Sequence, residues 1–104
     1  MIMKFLTGDA TEIANRLAGE FAAAFPSSLE GSQSRKAEDI RARTTRKLLE
    51  DVVSMQKDKR MGILKRIAFA RGFQHSLAES GYSDKLIREL TADVLAKLTF
   101  APRQ

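Results

Sequence analysis

Carboxylate side chains capable of acid–base chemistry occur in this sequence as two adjacent pairs. Glu38 precedes Asp39 and Glu50 precedes Asp51, both within a segment of helical periodicity. Neighbouring residues diverge by about 100° around a helix axis, so neither pair can direct two carboxylates at one substrate atom. The chain also lacks a glycine-rich phosphate loop and a serine nucleophile elbow. These features predict a protein that is not an enzyme.

Metal and cofactor chemistry have equally little support in the sequence. His75 is the single histidine of the 104 residues and cysteine is absent, so neither a second imidazole nor a thiolate can complete a site. Glu79 follows His75 by four residues, and a side-chain pair on one helix face explains both. We therefore predict no catalytic, cofactor-binding or metal-binding residues. The absence of cysteine also favours a reducing, cytoplasmic location.

Positive charge is concentrated in the middle of the chain. Residues 35–71 contain 12 of the 18 lysines and arginines and 5 of the 13 acids, a formal charge of +7 within a total of +5. The basic surface of these residues can bind along a phosphate backbone. It can also be a solvated helix face on which Asp39 pairs with Arg43. Arg46 and Glu50 have the same spacing. The basic residues placed to contact nucleic acid are Lys36, Arg43, Arg46, Lys47, Lys59, Arg60, Lys65 and Arg66.

The segment DKRMGILKR, residues 58–66, concentrates four basic residues at a predicted corner between helices. Anionic lipid or nucleic acid could bind such a cluster. Apolar residues are interleaved with the basic ones at the spacing of a buried stripe, so the basic side chains can also be the outward remainder of a core helix. The apolar residues concerned are Met61, Ile63, Leu64 and Ile67.

The turn in ESGYSDKLIREL is typical of DNA-binding helix-turn-helix segments, which would here span residues 73–90. In that pattern a small residue stands four positions before the turn glycine, but Leu77 occupies this position before Gly81. The helix that follows carries no net charge. Local capping explains the turn better, with Gly81 ending one helix, Ser83 capping the next and Tyr82 packing between them. The segment therefore favours a tight antiparallel corner over a DNA-reading helix.

Apolar residues recur at helical spacing in four segments, which we expect to be helices. Their predicted bounds are about 9–25, 34–57, 59–80 and 84–99. The first begins at Asp9, where Asp9 and Glu12 resemble a capping box, and it ends before Pro26. A run of five polar residues after Met55 interrupts the apolar stripe and predicts a corner near Asp58.

These elements predict an all-α fold in which residues 1–104 form a single domain, a compact bundle of four helices. Homodimerisation could complete or extend such a bundle. The polar segment 26–33 is expected to be a mobile loop, and residues 100–104 a C-terminal tail. Gly62 and Gly72 in the third helix indicate close helix crossings, unless they are merely tolerated there. No apolar run is long enough to span a membrane.

Two helices carry apolar residues beyond the stripe that an antiparallel bundle needs. Such flanks either fill the bundle or form an interface. The residues assigned to a partner interface are Leu49, Val53, Leu86 and Leu95. We therefore expect a small cytoplasmic interaction or regulatory protein that self-associates or binds a partner helix. A nucleic-acid-associated protein that uses residues 35–71 is the alternative.

Overall fold

Helices make up most of the protein, as the apolar periodicity predicts. The computed structural model describes residues 2–100, and that range contains no β-strand. The elements are α1 (Ile2–Ala24), a 3-10 turn (Ser27–Leu29), α2 (Arg35–Lys59), α3 (Ile63–Glu79) and α4 (Asp84–Phe100). The predicted all-α class and compact four-helix bundle are confirmed.

α1 packs most extensively against α3, and the two helices run in the same direction. Near their N-terminal ends, Nζ of Lys65 lies 3.7 Å from Oδ2 of Asp9. Near their C-terminal ends, the hydroxyl of Tyr82, just beyond α3, donates a hydrogen bond to the carbonyl oxygen of Phe25. The two helices therefore remain side by side along most of their length.

α2 and α4 form a second parallel pair. Nη2 of Arg41 lies 3.4 Å from Oε1 of Glu89, and the side-chain amide of Gln56 donates to the carbonyl oxygen of Leu98 at 2.9 Å. α3 and α4 are joined by a tight corner and run antiparallel. The N-terminal ends of α1 and α3 and the C-terminal ends of α2 and α4 consequently share one end of the bundle.

Aromatic rings dominate the core between α1 and α3. The rings of Phe21, Phe25 and Tyr82 contact one another with centroids between 5.7 and 6.5 Å apart. Phe69 and Phe73 stack with centroids 6.0 Å apart. Side chains of this size each contribute about 1.5–3 kcal/mol when fully buried. The remaining large core residues are Leu17, Leu48, Val52, Met55, Met61, Leu77, Leu86, Ile87, Leu90, Val94 and Leu98.

Gly72 lies where α3 crosses α1. A Cβ atom added there would be 3.3 Å from Cγ2 of Thr11 and 3.5 Å from Cβ of Ala14, so the helices approach each other closely. The predicted crossing at Gly72 is confirmed. The prediction for Gly62 is wrong, because Gly62 is the N-cap residue of α3 and nothing lies within 4 Å of its Cβ position.

α1 begins at Ile2, so the predicted start at Asp9 and the capping box there are wrong. Asp9 lies inside the helix, where its carboxylate accepts a hydrogen bond from the N–H of Ala10 at 3.0 Å and pairs with Lys65. No proline precedes Asp9, and Gly8 costs only about 1 kcal/mol relative to alanine. The helix therefore extends seven residues further towards the N-terminus than predicted.

α2 and α3 are separate helices, but the corner between them lies at residues 60–62, beyond the predicted position near Asp58. Arg60 adopts the left-handed region there, with φ 45° and ψ 71°. The side chain of Gln56 stabilises the corner, because its amide oxygen accepts from the N–H of Met61 at 2.8 Å. The polar run after Met55 therefore continues α2 to Lys59, and Gln56, the first residue of that run, binds the backbone of the corner.

The connection between α1 and α2 leads to Ser34, whose hydroxyl caps α2 by accepting from the N–H of Ala37 at 3.1 Å. The mobility of segment 26–33 stays a prediction. α4 ends at Phe100, so the first residue of the predicted tail is helical. Residues 101–104 lie outside the described residues.

Candidate functional site

Large apolar side chains that remain exposed lie together at one end of the bundle. Within the described part of the chain they are Ile63, Leu64, Ile67 and Phe100, with exposed fractions of 68, 50, 50 and 81%. The first three occupy the first two turns of α3 and the last ends α4. Nη1 of Arg66 donates to Oγ1 of Thr99 at 3.3 Å, which brings the end of α4 beside the start of α3.

The orientation of α3 explains this exposure. Phe69, Phe73 and Leu77 are fully buried and set its core face. At about 100° per residue, Ile67 stands about 200° away from Phe69 around the helix axis. α1 and α4 cover the inner side of α3, and its outer side remains uncovered. The interpretation of DKRMGILKR as a core segment is therefore wrong, except that Met61 is buried.

Basic side chains surround these apolar residues. Arg60 is exposed, and Lys65 and Arg66 are partly exposed. Gly62 supplies no side-chain cap and the first turn of α3 has no acid, so the helix dipole adds positive potential. The side chain of Lys59, at the end of α2, lies outside what the structure describes. We call the following set the open end: Arg60, Ile63, Leu64, Lys65, Arg66, Ile67 and Phe100.

The other predicted nucleic-acid contacts lie apart from the open end, on the outer face of α2. They are Lys36, Arg43, Arg46 and Lys47, all exposed. Fourteen residues of chain, or about 20 Å of helix, separate Arg46 from Arg60. The structure therefore divides the seven predicted basic residues whose side chains it describes between two surfaces.

Ion pairing on α2 differs from the predicted pattern. Nζ of Lys47 lies 3.1 Å from Oδ2 of Asp51, four residues on. Arg41 pairs across to α4, as described above. Within the described range, the expected pairs of Asp39 with Arg43 and of Arg46 with Glu50 are not among the ion pairs that form. Arg43 and Arg46, on the outer face of α2, therefore have no ion-pair partner among the described side chains.

The residues predicted to form a partner interface divide in the same way. Leu86 is 1% exposed and fills the bundle, because α4 buries it together with Ile87. Its assignment to a partner interface is therefore wrong. Leu95 is partly buried against the core. Leu49 and Val53 line a cleft of 440 Å³. The basic residues of that cleft are Arg46, Lys57 and Lys97.

The corner between α3 and α4 matches its prediction. Gly81 has a φ of +95°, and its N–H donates to the carbonyl oxygen of Ala78 at 3.1 Å. The N–H of Tyr82 donates to the carbonyl oxygen of Leu77 at 3.4 Å, which completes the Schellman motif. Oγ of Ser83 accepts from the N–H of the third residue of α4 at 3.2 Å. Capping on both sides of the corner is confirmed.

Glu30 ties the α1–α2 connection to this corner. Its Oε1 accepts from the N–H of Ser83 at 2.8 Å, and its Oε2 accepts from the Ser83 hydroxyl. Burial raises the pKa of Tyr82, and the nearby Glu30 carboxylate raises it further, so the Tyr82 hydroxyl stays a hydrogen-bond donor. We call the following set the closed end: Phe21, Phe25, Glu30, Gly81, Tyr82 and Ser83.

The one histidine has the predicted partner. Nε2 of His75 lies 3.5 Å from Oε2 of Glu79, and both side chains are exposed. Among the described residues, no group of three or more His, Cys, Asp or Glu side chains could hold a metal ion. In the same part of the chain, no helix combines the length and the apolar character needed to cross a membrane.

No family model, curated protein or solved structure matches this chain. The surfaces of the bundle are therefore the basis for inferring what it binds. The open end combines apolar side chains that are half or more exposed with three basic residues, of which Lys65 has an acidic partner in Asp9. Such a surface attracts a partner that carries negative charge next to apolar groups. The cleft at Leu49 and Val53 has similar chemistry, but both side chains are already partly buried.

Proposed function

We propose that this chain is a small helical docking protein that acts by binding a partner at the open end, without catalysis. The observation that carries the proposal is the gathering of four large exposed apolar side chains at one end of the described chain. Contiguous apolar surface is uncommon on a monomer unless it serves a contact. A cytoplasmic, regulatory role without a cofactor belongs to the proposal, as the cysteine-free composition favours.

Charge supports a partner other than a second copy of the chain. Symmetric pairing of two open ends would bring Arg60, Lys65 and Arg66 of both copies together, and like charges oppose such a contact. A partner with acidic or anionic groups would gain from the same residues. Binding of a separate partner is therefore better supported than self-association through this surface.

Photo-crosslinking from single positions tests the proposal. A benzophenone amino acid in place of Leu64 is expected to form covalent adducts with the partner in the cells that produce the variant. The same group at Ala78 is the matched control, because Ala78 is exposed on the same helix but lies outside the open end. Equal adducts from both positions, or none from Leu64, would contradict the proposal. Adducts between two copies of the chain would restore self-association.

Nucleic-acid binding is the second candidate, favoured by the exposure of Arg43 and Arg46 on α2. Binding to duplex DNA, measured at two salt concentrations, should then fall with a log–log slope of about −0.9 per phosphate contact. The double substitution Arg43→Gln with Arg46→Gln should make that slope shallower by the amount that corresponds to about two phosphate contacts. Absence of binding at low salt would remove this candidate. The helix-turn-helix alternative is weaker, because Glu30 caps Ser83 where a phosphate would approach α4.

A further inference from the structure

The open end presents apolar side chains from two different helices, a geometry suited to a planar partner. Its three apolar residues on α3 occupy only the first two turns, and the outer face continues with Arg71 and Gln74, both exposed. A partner helix lying along α3 would need apolar contacts over about 10 Å, at positions i, i+4 and i+7. Counted from Ile63, that series reaches Ala70, which is buried, and the next exposed position on the outer face is Arg71. Phe100 instead extends the exposed apolar surface sideways onto α4.

α1 reaches the same end of the bundle. Its backbone begins at Ile2, seven residues before Asp9, which pairs with Lys65 in the first turn of α3. Seven helical residues span about 10 Å, so α1 continues past the start of α3. A plane can contact the exposed apolar residues of α3 and α4 at once, which a single partner helix lying along α3 cannot.

The charges at the open end match an anionic plane. Arg60, Lys65 and Arg66 lie next to the apolar residues in the sequence, and the first turn of α3 adds no acid. Asp58, at the end of α2, precedes these basic residues in the sequence, and Asp9 pairs with Lys65. Basic residues near an anionic bilayer each strengthen binding by about fivefold.

We infer that the partner of the open end is the surface of a lipid bilayer that contains anionic headgroups. The inference rests on the proposed docking function and names the partner for that surface. Ile63, Leu64, Ile67 and Phe100 enter the boundary between headgroups and acyl chains. Arg60, Lys65 and Arg66 remain at headgroup depth, where they bind phosphate and carboxylate groups. Apolar insertion together with basic attraction gives peripheral, reversible binding.

Cosedimentation of the full chain with vesicles tests this inference. We expect binding to vesicles of phosphatidylcholine with an equal share of phosphatidylserine, and little binding to phosphatidylcholine alone. The double substitution Leu64→Gln with Ile67→Gln should weaken binding about tenfold or more, because both side chains lose their apolar contact. Lys65→Gln with Arg66→Gln should weaken it about 25-fold.

Matched controls separate the open end from general positive charge. Arg43→Gln with Arg46→Gln removes the same charge about 20 Å away along α2, beyond the screening length of about 8 Å in physiological salt. This variant should bind within about twofold of the parent chain. An equal loss in both charge variants would overturn the inference. Circular dichroism would verify that every variant remains helical, as expected for substitutions at exposed or partly exposed positions.

The outcomes distinguish failure of the lipid inference from failure of the docking function. Absence of binding to anionic vesicles, together with protein or nucleic-acid adducts from Leu64 in the crosslinking experiment, would overturn the lipid partner and leave docking at the open end intact. Absence of both would overturn the two together. Binding to the vesicles that depends on Leu64 and Ile67 would support both.

Discussion

At the closed end of the bundle, Tyr82 is buried between two phenylalanine rings and its hydroxyl donates to the backbone of Phe25, while Glu30 binds both polar groups of Ser83. At the open end, Gly62 leaves α3 without a side-chain cap, and exposed apolar side chains stand next to basic ones. The same four helices form both ends, but the large apolar side chains of the closed end are buried, whereas those of the open end remain exposed.

This difference separates what stabilises the fold from what is available for binding. Side chains of the closed end are matched to neighbours within the chain, so changes there should reduce stability. Exposed side chains of the open end contribute little to the core, so changes there that leave the backbone conformation unaffected should alter binding and leave stability almost unchanged.

Truncation of one side chain at each end should give the largest contrast. Tyr82→Ala removes a buried ring and the hydrogen bond to Phe25, so it should lower the free energy of unfolding by about 3–5 kcal/mol. Leu64→Ala, at a half-exposed position, should change it by about 0.5 kcal/mol or less. Urea unfolding followed by circular dichroism measures both values. A loss at Leu64 comparable to that at Tyr82 would contradict the separation.

The crossing of α1 and α3 lies between the two ends and should be nearly as sensitive as the closed end. Gly72→Val places a branched side chain against Thr11 and should cost about 1–3 kcal/mol in the free energy of unfolding. Gly19→Ala is the matched control, because nothing lies within 4 Å of its Cβ position and it is exposed inside α1. That variant should be stabilised by about 1 kcal/mol. Thermal unfolding of both variants measures these changes and tests how closely α1 and α3 approach each other at Gly72.

Exchange of residue types between the two corners should produce opposite effects of moderate size. Gly81→Ala should cost about 1–2 kcal/mol, because φ is +95° there and the new Cβ would lie 3.2 Å from the Ser27 hydroxyl. Arg60→Gly should gain about 1 kcal/mol, because Arg60 holds a left-handed conformation that glycine adopts freely. Chemical unfolding of the two variants checks the signs, and a destabilised Arg60→Gly would contradict them.

Alkaline pH should weaken the closed end by the smallest amount. The pKa of Tyr82 is raised in the folded chain by burial and by Glu30, so the unfolded chain loses this proton first. The contribution is complete below the ordinary tyrosine pKa of about 10 and is lost as pH rises through the folded value. Because Tyr82 is the single tyrosine and tryptophan is absent, tyrosinate absorbance follows it directly. Glu30→Gln should lower the pKa of Tyr82, and Tyr82→Phe should remove this part of the pH dependence of stability.

The closed end could be predicted largely from the sequence because its contacts are local. Gly81 and Ser83 act through backbone groups a few residues away, and their types indicate those roles directly. The contribution of Glu30 could not be predicted, since it comes from more than 50 residues away. The helices and their buried stripes could also be predicted, because the apolar residues of each helix recur at helical spacing.

The open end could not be predicted in the same way, because exposure depends on which faces of α3 find neighbours. Ile63 and Ile67 have the spacing of a buried stripe, and only the packing of α1 and α4 decides that they remain outside. One signal was present in the sequence: Phe69, Phe73 and Leu77 already form a complete stripe, to which the earlier apolar residues do not belong. Similarly, the polar run that begins at Gln56 predicts an earlier corner, because the backbone groups that Gln56 binds are not visible in the sequence.

A single engineered fluorophore tests most directly whether the open end binds an anionic bilayer, as we infer. Because the chain has no tryptophan, Leu64→Trp and Ala78→Trp each place one reporter on the exposed side of α3. With vesicles that contain phosphatidylserine, the emission of the Leu64→Trp variant should shift to shorter wavelength, while that of the Ala78→Trp variant should stay unchanged. Equal shifts in both variants, or no shift at position 64, would contradict the claim.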